Sequence, residues 1–140
     1  MQIEKLDHVH VEVTDREAAA VWYGRVLGLS RHAGLAHWAK HPQGPLILAA
    51  PDGEPTLSLF AGASREHTRD NTVAFRVSGE VFLAFLDGLD ETGLVNRFGA
   101  AVARDQVLDH DVSWSIYFVD PDQNRIEITT YDYAMVGGAL

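Results

Sequence analysis

Seven histidines and no cysteine set the chemistry open to this chain. Without thiolates there can be no disulfide, cysteine zinc site, iron–sulfur cluster or cysteine nucleophile. Histidine remains as the source of neutral nitrogen ligands and of acid–base groups working near neutrality. Two of them stand as His8-x-His10 in Leu6–Val13, LDHVHVEV, where Val9, Val11 and Val13 alternate with His8, His10 and Glu12. Such alternation predicts a strand with one apolar and one ionisable face, so both imidazoles point the same way, roughly 6.5–7 Å apart. Glu127, near the other end of the chain, offers a carboxylate. Imidazole with carboxylate suits Fe(II), Mn(II), Ni(II) or Zn(II), and His8, His10 and Glu127 would form a two-histidine, one-carboxylate triad with open positions. Two arrangements compete with it: His8 and Glu127 with another partner, His67 first among them, and no functional metal at all.

For these residues to meet, the two ends of the chain must come together, and the order of elements supplies a reason. Helical spacing of Ala18, Val21, Trp22, Val26 and Leu27 predicts a helix over Asp15–Leu27, with Trp22 in the core. Thr14 or Asp15 caps it, Glu17 completes a capping box, and Gly28 stops it. Strands follow at Leu35–Lys40, Leu46–Ala50 and Thr56–Phe60, the last two joined by Pro51-Asp52-Gly53. Small polar residues place a linker at 63–70. The pattern then restarts: a strand at Asn71–Val77, and a helix at Glu80–Leu89 with Val81, Phe82, Phe85, Leu86 and Leu89 inward. Strands at Val102–Gln106, Ser113–Asp120 and Arg125–Tyr131 complete it, with Trp114 packed under the helices and a frayed tail at Gly137–Leu140.

Strand, helix and three strands therefore occur twice. His8 aligns on Thr72, Val13 on Val77, and Leu57-Ser58-Leu59 on Ile126-Glu127-Ile128. A half of about 65 residues is too small for a core of its own, so the halves should pack together. About a pseudo-twofold axis the equivalent inward positions His8, Thr72, Ser58 and Glu127 converge. The 140 residues then read as one domain, with module 1 at about 4–62, module 2 at about 71–132 and a tail at 133–140.

Composition narrows the partners. Twenty Asp+Glu against 11 Lys+Arg give a formal charge of −9, which argues against nucleic acid and against an anionic membrane surface. The N-terminal residues lack the charged and apolar regions of a secretory signal, and no apolar run nears the ~20 residues of a membrane span. A cytoplasmic location and a small-molecule ligand are expected. Ser58 has no base–acid partner arrangement for nucleophilic catalysis, and there is no glycine-rich phosphate loop.

LDHVHVEVTDREAAAVWYGRVLGL and SIYFVDPDQNRIEI resemble the opening and closing motifs of the vicinal oxygen chelate superfamily. Glyoxalase I, extradiol dioxygenases, fosfomycin-resistance thiol transferases and bleomycin-binding proteins belong to it. The resemblance implies an α+β fold of two βαβββ modules in tandem, forming a U-shaped mixed-sheet cup around a divalent metal. It puts His8 and Glu127 at the first and last metal-ligand positions. Thr72 stands where a ligand histidine is often found and Ser58 where glyoxalases often have glutamate. Neutral hydroxyls are poor divalent ligands, so the inherited site is incomplete and the metal can be absent. His110 through Pro121 is similar to the extradiol dioxygenase signature, which implies His110 as an acid–base group and Tyr117 as a donor to a substrate oxygen. Leu108 departs from that signature, and Gln123 replaces the turn glycine, shifting the positive φ to Asn124. Plainer roles compete: a solvated loop histidine for His110, a strand aromatic for Tyr117.

The leading reading is a metal-dependent enzyme most like an extradiol dioxygenase, chelating vicinal oxygens of a catechol-like substrate. A metal-free protein binding a drug or aromatic metabolite is the alternative, with Trp38 stacking on the ligand beside His37 and His41, and Ser58 and Thr72 as hydrogen-bonding groups. A glyoxalase I-like lyase comes third, since Ser58 and Thr72 spoil its ligand set. The resemblance also implies a homodimer.

Overall fold

The valine–histidine alternation at the start of the chain forms strand β1, Val9–Val13, with Val11 and Val13 buried and His10 exposed. His8 immediately precedes the strand. The computed structural model describes residues 1–2, 4–68 and 70–140, in two compact units, Met1–Ser64 and Arg65–Leu140. Ile3 of the N-terminal stretch and Arg69 of the expected linker lie outside the described residues.

In the first unit β1 is followed by α1 (Arg16–Leu27), β2 (Ser30–Arg31), a 3₁₀ segment (Ala33–Lys40), β3 (Leu46–Ala49) and β4 (Pro55–Ala61). Asp15, rather than Thr14, caps α1: its Oδ1 accepts from the amides of Glu17 at 2.8 Å and Ala18 at 3.0 Å, worth about 1 kcal/mol. Gly28 ends the helix at φ 69°, a left-handed conformation suited to glycine. The sheet order is β1-β4-β3-β2, with β1 parallel to β4 and the other pairs antiparallel. Tyr23 of α1 is fully buried, as are Leu48 and Leu57 of the sheet on which that helix packs.

The second unit repeats this plan with β5 (Thr72–Arg76), α2 (Gly79–Asp87), α3 (Leu89–Thr92), β6 (Leu108–Asp109), β7 (Trp114–Val119), β8 (Arg125–Thr130) and α4 (Tyr133–Gly137). Its order is β5-β8-β7-β6, again with one parallel pair, β5 with β8. The registers bear out the repeat: His10 faces Ser58 in one unit as Ala74 faces Glu127 in the other. The fold is thus α+β, two βαβββ modules in tandem. Among the described residues no helix is long and apolar enough to cross a membrane.

Several local expectations are corrected. Leu35–Lys40 is not a strand but part of the 3₁₀ segment. It lacks β-branched residues, and Ser30–Arg31 already pairs with β3. Arg16 braces the loop by donating to the carbonyl oxygens of Ala39 at 3.3 Å, His41 at 3.3 Å and Gly44. The strand expected at Val102–Gln106 is replaced by a 3₁₀ turn at Arg104–Gln106, and Leu108–Asp109 pairs with β7 instead. In α1 the buried residues are Ala19, Ala20 and Tyr23, while Val21 is 71% exposed and Trp22 only half-buried. Apolar residues surround this helix, so their spacing alone does not choose a face. Val81 of α2 is likewise exposed, with Phe82 and Leu86 inward. The tail is not frayed. Val136 of α4 is fully buried, Trp114 stacks on Tyr133 at 5.2 Å, and the amides of Ala139 and Leu140 bond back to Val136. The positive φ of the second hairpin falls on Gln123 itself, at 67°, because Asn124 is buried and tied to Asp120.

Candidate active site on the second sheet

Pairing of β7 with β8 places Tyr117 directly opposite Glu127 and Ser115 opposite Thr129. Ile116, Phe118, Ile126 and Ile128 alternate with them and are buried. Period-2 alternation therefore gathers Ser115, Tyr117, Arg125 and Glu127 on one face. Ser115 Oγ donates to Glu127 Oε1 at 2.7 Å and holds the carboxylate in place. The Tyr117 hydroxyl is 3.3 Å from His110 Nε2, and the two rings meet edge to face. His110 is exposed, on a turn in which its amide bonds to Ser113 O and Asp111 takes φ 66°. Burial, reinforced by the charge and hydrogen bonding of Glu127, pushes the Tyr117 phenol above its ordinary value of 10.0. At neutral pH Tyr117 is a protonated donor beside an imidazole and a carboxylate.

Of the other expected residues, Thr72 shares this face. Thr72, half-buried on β5, faces Arg125 in register. In the first unit His8 Nδ1 lies 2.6 Å from Asp7 Oδ2. A carboxylate on one imidazole nitrogen fixes the tautomer and leaves the other nitrogen able to coordinate. The His10 ring packs on Phe60 at a centroid distance of 4.2 Å. Ser58 is buried between His10 and Ile47 in the sheet. Trp38 is 43% exposed and edge-on to His37. His67 is exposed in the second unit. Among the described residues no group of three or more His, Asp and Glu side chains is gathered as for a metal ion. Taken singly, the Glu127 carboxylate and the His8 imidazole are each of a donor type that suits a divalent ion.

Sequence reasoning passed over Asp7, Arg125 and Ser115. Asp7 could have been found as the carboxylate adjoining His8. Arg125, two residues before Glu127, shares its face by strand period, and its guanidinium lies 4.6 Å from the Tyr117 ring centroid.

A family model, Glyoxalase/Bleomycin resistance protein/Dioxygenase superfamily, matches residues 5–128. The chain belongs to that superfamily. Every candidate residue named above lies within the matched span. Among solved structures of the superfamily fold, a glyoxalase/dioxygenase from Nostoc punctiforme shares 26% identity at TM-score 0.66, covering 91% of each chain. A protein described as oxidase ChaP-H1 shares 25% identity at TM-score 0.64, covering 94% of this chain and 98% of that one. The fosfomycin resistance protein FosX from Listeria monocytogenes, complexed with Mn(II) and sulfate, aligns at TM-score 0.68 and 14% identity, over 99% of this chain and 98% of its own. At that identity the likeness is one of fold. The search of curated proteins found no match.

Proposed function

We propose that this superfamily member is a metal-dependent enzyme acting on vicinal oxygens of a small molecule, closest in chemistry to an extradiol dioxygenase. The observation that carries the reading is the Tyr117–His110 contact of 3.3 Å on the sheet face shared with Glu127. The ligands proposed from the sequence are His8, His10 and Glu127. A divalent ion held by these residues would supply Lewis acidity to the substrate oxygens. Tyr117, kept protonated, donates a hydrogen bond to a substrate oxygen. His110, whose Nε2 lies 3.3 Å from the Tyr117 hydroxyl, is the acid–base group beside it. Ser115 fixes the Glu127 carboxylate, and Asp7 fixes the His8 ring. The likeness to a structure described as an oxidase agrees with this chemistry.

Elemental analysis of protein dialysed after growth with iron, manganese and zinc tests the reading, together with oxygen uptake on catechol. The expected result is bound metal in the wild type and affinity reduced about 100-fold or more in Glu127→Ala and His8→Ala. Full stoichiometry and affinity in His10→Ala would remove His10 from the set. A wild-type protein that takes up no metal yet binds catechol would overturn the reading. It would favour a metal-free binding protein, the role suggested by the neutral Ser58 and Thr72 at the repeat-equivalent positions.

A further inference from the structure

Arg125 stands out among the described cations of this acidic chain. Arg31, Arg97, Arg104 and Lys5 pair with Glu17, Asp70, Asp87 and Glu54 respectively. Arg25 and Arg76 are exposed, where water solvates them. Arg125 is half-buried, and among the described residues it has no carboxylate or carbonyl partner, only the face of Tyr117. A cation–π contact offsets part of a guanidinium's lost hydration but leaves its planar fork of N–H donors unused. That fork matches a carboxylate in two parallel hydrogen bonds.

Arg125 also lines a cavity of about 160 Å³, together with Asn96, Arg97, Phe98, Leu108 and Tyr117; the Arg97 guanidinium, 5.8 Å from the Phe98 ring centroid, is already paired with Asp70. A cavity of about 150 Å³ is enough to take benzene, so the space suits one ring. Two of its walls are apolar side chains open to solvent, Phe98 at 86% and Leu108 at 48% exposure. Phe98 sits on a braced turn. Asn96 Oδ1 accepts from the amides of Phe98 at 3.0 Å and Ala100 at 3.2 Å, and Gly99 supplies the positive φ of 78°. Asn96 in turn donates to Gln106, which donates to Ala101 O. The ring is thus presented to solvent by backbone already held in place, which lowers the ordering cost of binding.

We infer that this cavity is a subsite for an aromatic carboxylate, its ring against Phe98 and Leu108 and its carboxylate on the Arg125 guanidinium. The inference rests on the Tyr117 face being the reaction site and narrows its substrate class: an oxygen-bearing ring with an acidic substituent. A neutral ring would leave the Arg125 fork unpaired, whereas a carboxylate fills it.

The test uses full-length protein freed of metal with a chelator, so that no ion can hold the carboxylate. Benzoate and benzamide, matched in size and differing in charge, are titrated against backbone amide resonances. Benzoate should bind about tenfold more tightly than benzamide and shift the amides of residues 96–98, 117 and 125. Arg125→Gln should abolish that preference, whereas Phe98→Ser should weaken both probes and preserve their ratio. In the wild type, the preference should also shrink as salt is raised. Equal affinities, a preference that survives Arg125→Gln or salt, or shifts confined to other residues would overturn the subsite, and salt alone decides if the variant does not fold. A benzoate preference in a protein that never binds metal would leave the subsite standing and overturn the metal-dependent reading, so the two failures are distinguishable.

Discussion

The two modules share one topology but carry different side chains at matched positions. Around the middle of the last strand, the first has His10, Ser58 and Ile47, and the second has Ala74, Glu127 and Tyr117. His10 and Tyr117 thus correspond to the apolar Ala74 and Ile47, and the Glu127 carboxylate corresponds to the neutral Ser58 hydroxyl. Duplicated architecture leaves one copy free to lose what the other keeps, so long as the backbone pairing is retained. The closing hairpins differ in the same manner. Pro51-Asp52-Gly53 turns on a glycine at φ 85°, whereas Pro121-Asp122-Gln123 makes the equivalent turn with glutamine at φ 67°.

The largest effect should come from breaking what holds the second hairpin. Asp120 is 2% exposed and accepts from the amides of Asp122 and Asn124 and from Asn124 Nδ2, all within 2.9 Å. Arg65 donates to Asn124 Oδ1 from across the unit. Asp120→Ala would strand several buried donors and should cost about 3 kcal/mol in denaturant unfolding. The exposed Asp52 of the first hairpin accepts, among the described residues, from the Glu54 amide at 2.9 Å, and Asp52→Ala should cost about 0.5 kcal/mol. Equal losses at the two sites would show that burial does not set the difference.

That contrast marks where the sequence was legible. Alternation at 9–13, the helix stop at Gly28 and the duplicated hairpins are local signals with strong physical causes, and the folded chain follows them; the strand expected from Leu6 begins only at Val9. The 3₁₀ segment around Trp38 was not legible, because its conformation depends on Arg16 reaching three carbonyls distant in sequence. Gln123 was misread for a similar reason. Glutamine disfavours the left-handed region, and only the buried Asp120–Asn124 network forces it there. In the candidate site, the Tyr117–Glu127 pairing follows from strand register. Asp7 and Arg125 were within reach of adjacency and strand period, whereas the Ser115 bond to Glu127 depends on a side-chain direction that motifs do not encode.

The next contrast is between Thr72 and its counterpart His8. Thr72 and Glu127 are diagonal neighbours on adjacent strands of one face, since Thr72 pairs with Arg125 and Ala74 with Glu127. Thr72→His should therefore raise affinity for Zn(II) or Mn(II) about tenfold by calorimetry, a gain of about 1.4 kcal/mol. Combining it with Glu127→Ala should erase the gain. A gain that persists in the double variant would place the added ligand away from Glu127.

Smaller effects are expected at the turn residues themselves. Gly53→Ala forces a Cβ into the left-handed region and should destabilise by about 1 kcal/mol. Gln123→Gly relieves that strain but adds chain entropy and loses the 3.0 Å bond from the Thr68 hydroxyl, so it should stabilise by about 0.5 kcal/mol or less. Thermal unfolding of the pair reads both signs, and a strongly destabilising Gln123→Gly would show that the Thr68 bond outweighs the backbone strain.

The subtlest comparison lies between two tyrosines of the second unit. Both phenols are held above 10.0, Tyr117 chiefly by burial and Tyr133 chiefly by its hydrogen bond to Asp109. Glu127→Gln should lower the Tyr117 midpoint only part of the way, whereas Asp109→Asn should return Tyr133 most of the way to its ordinary value. Phenolate absorbance in single Tyr→Phe backgrounds separates the two. The sign for stability follows: a phenol whose pKa is raised by folding contributes stability in full below pH 10, and that contribution is lost as pH rises through the folded value. The wild type should accordingly lose stability above pH 10 more steeply than Asp109→Asn. If Glu127→Gln instead removes the whole Tyr117 shift, charge rather than burial governs that phenol. Its protonation would then depend on anything that neutralises Glu127, a bound cation included.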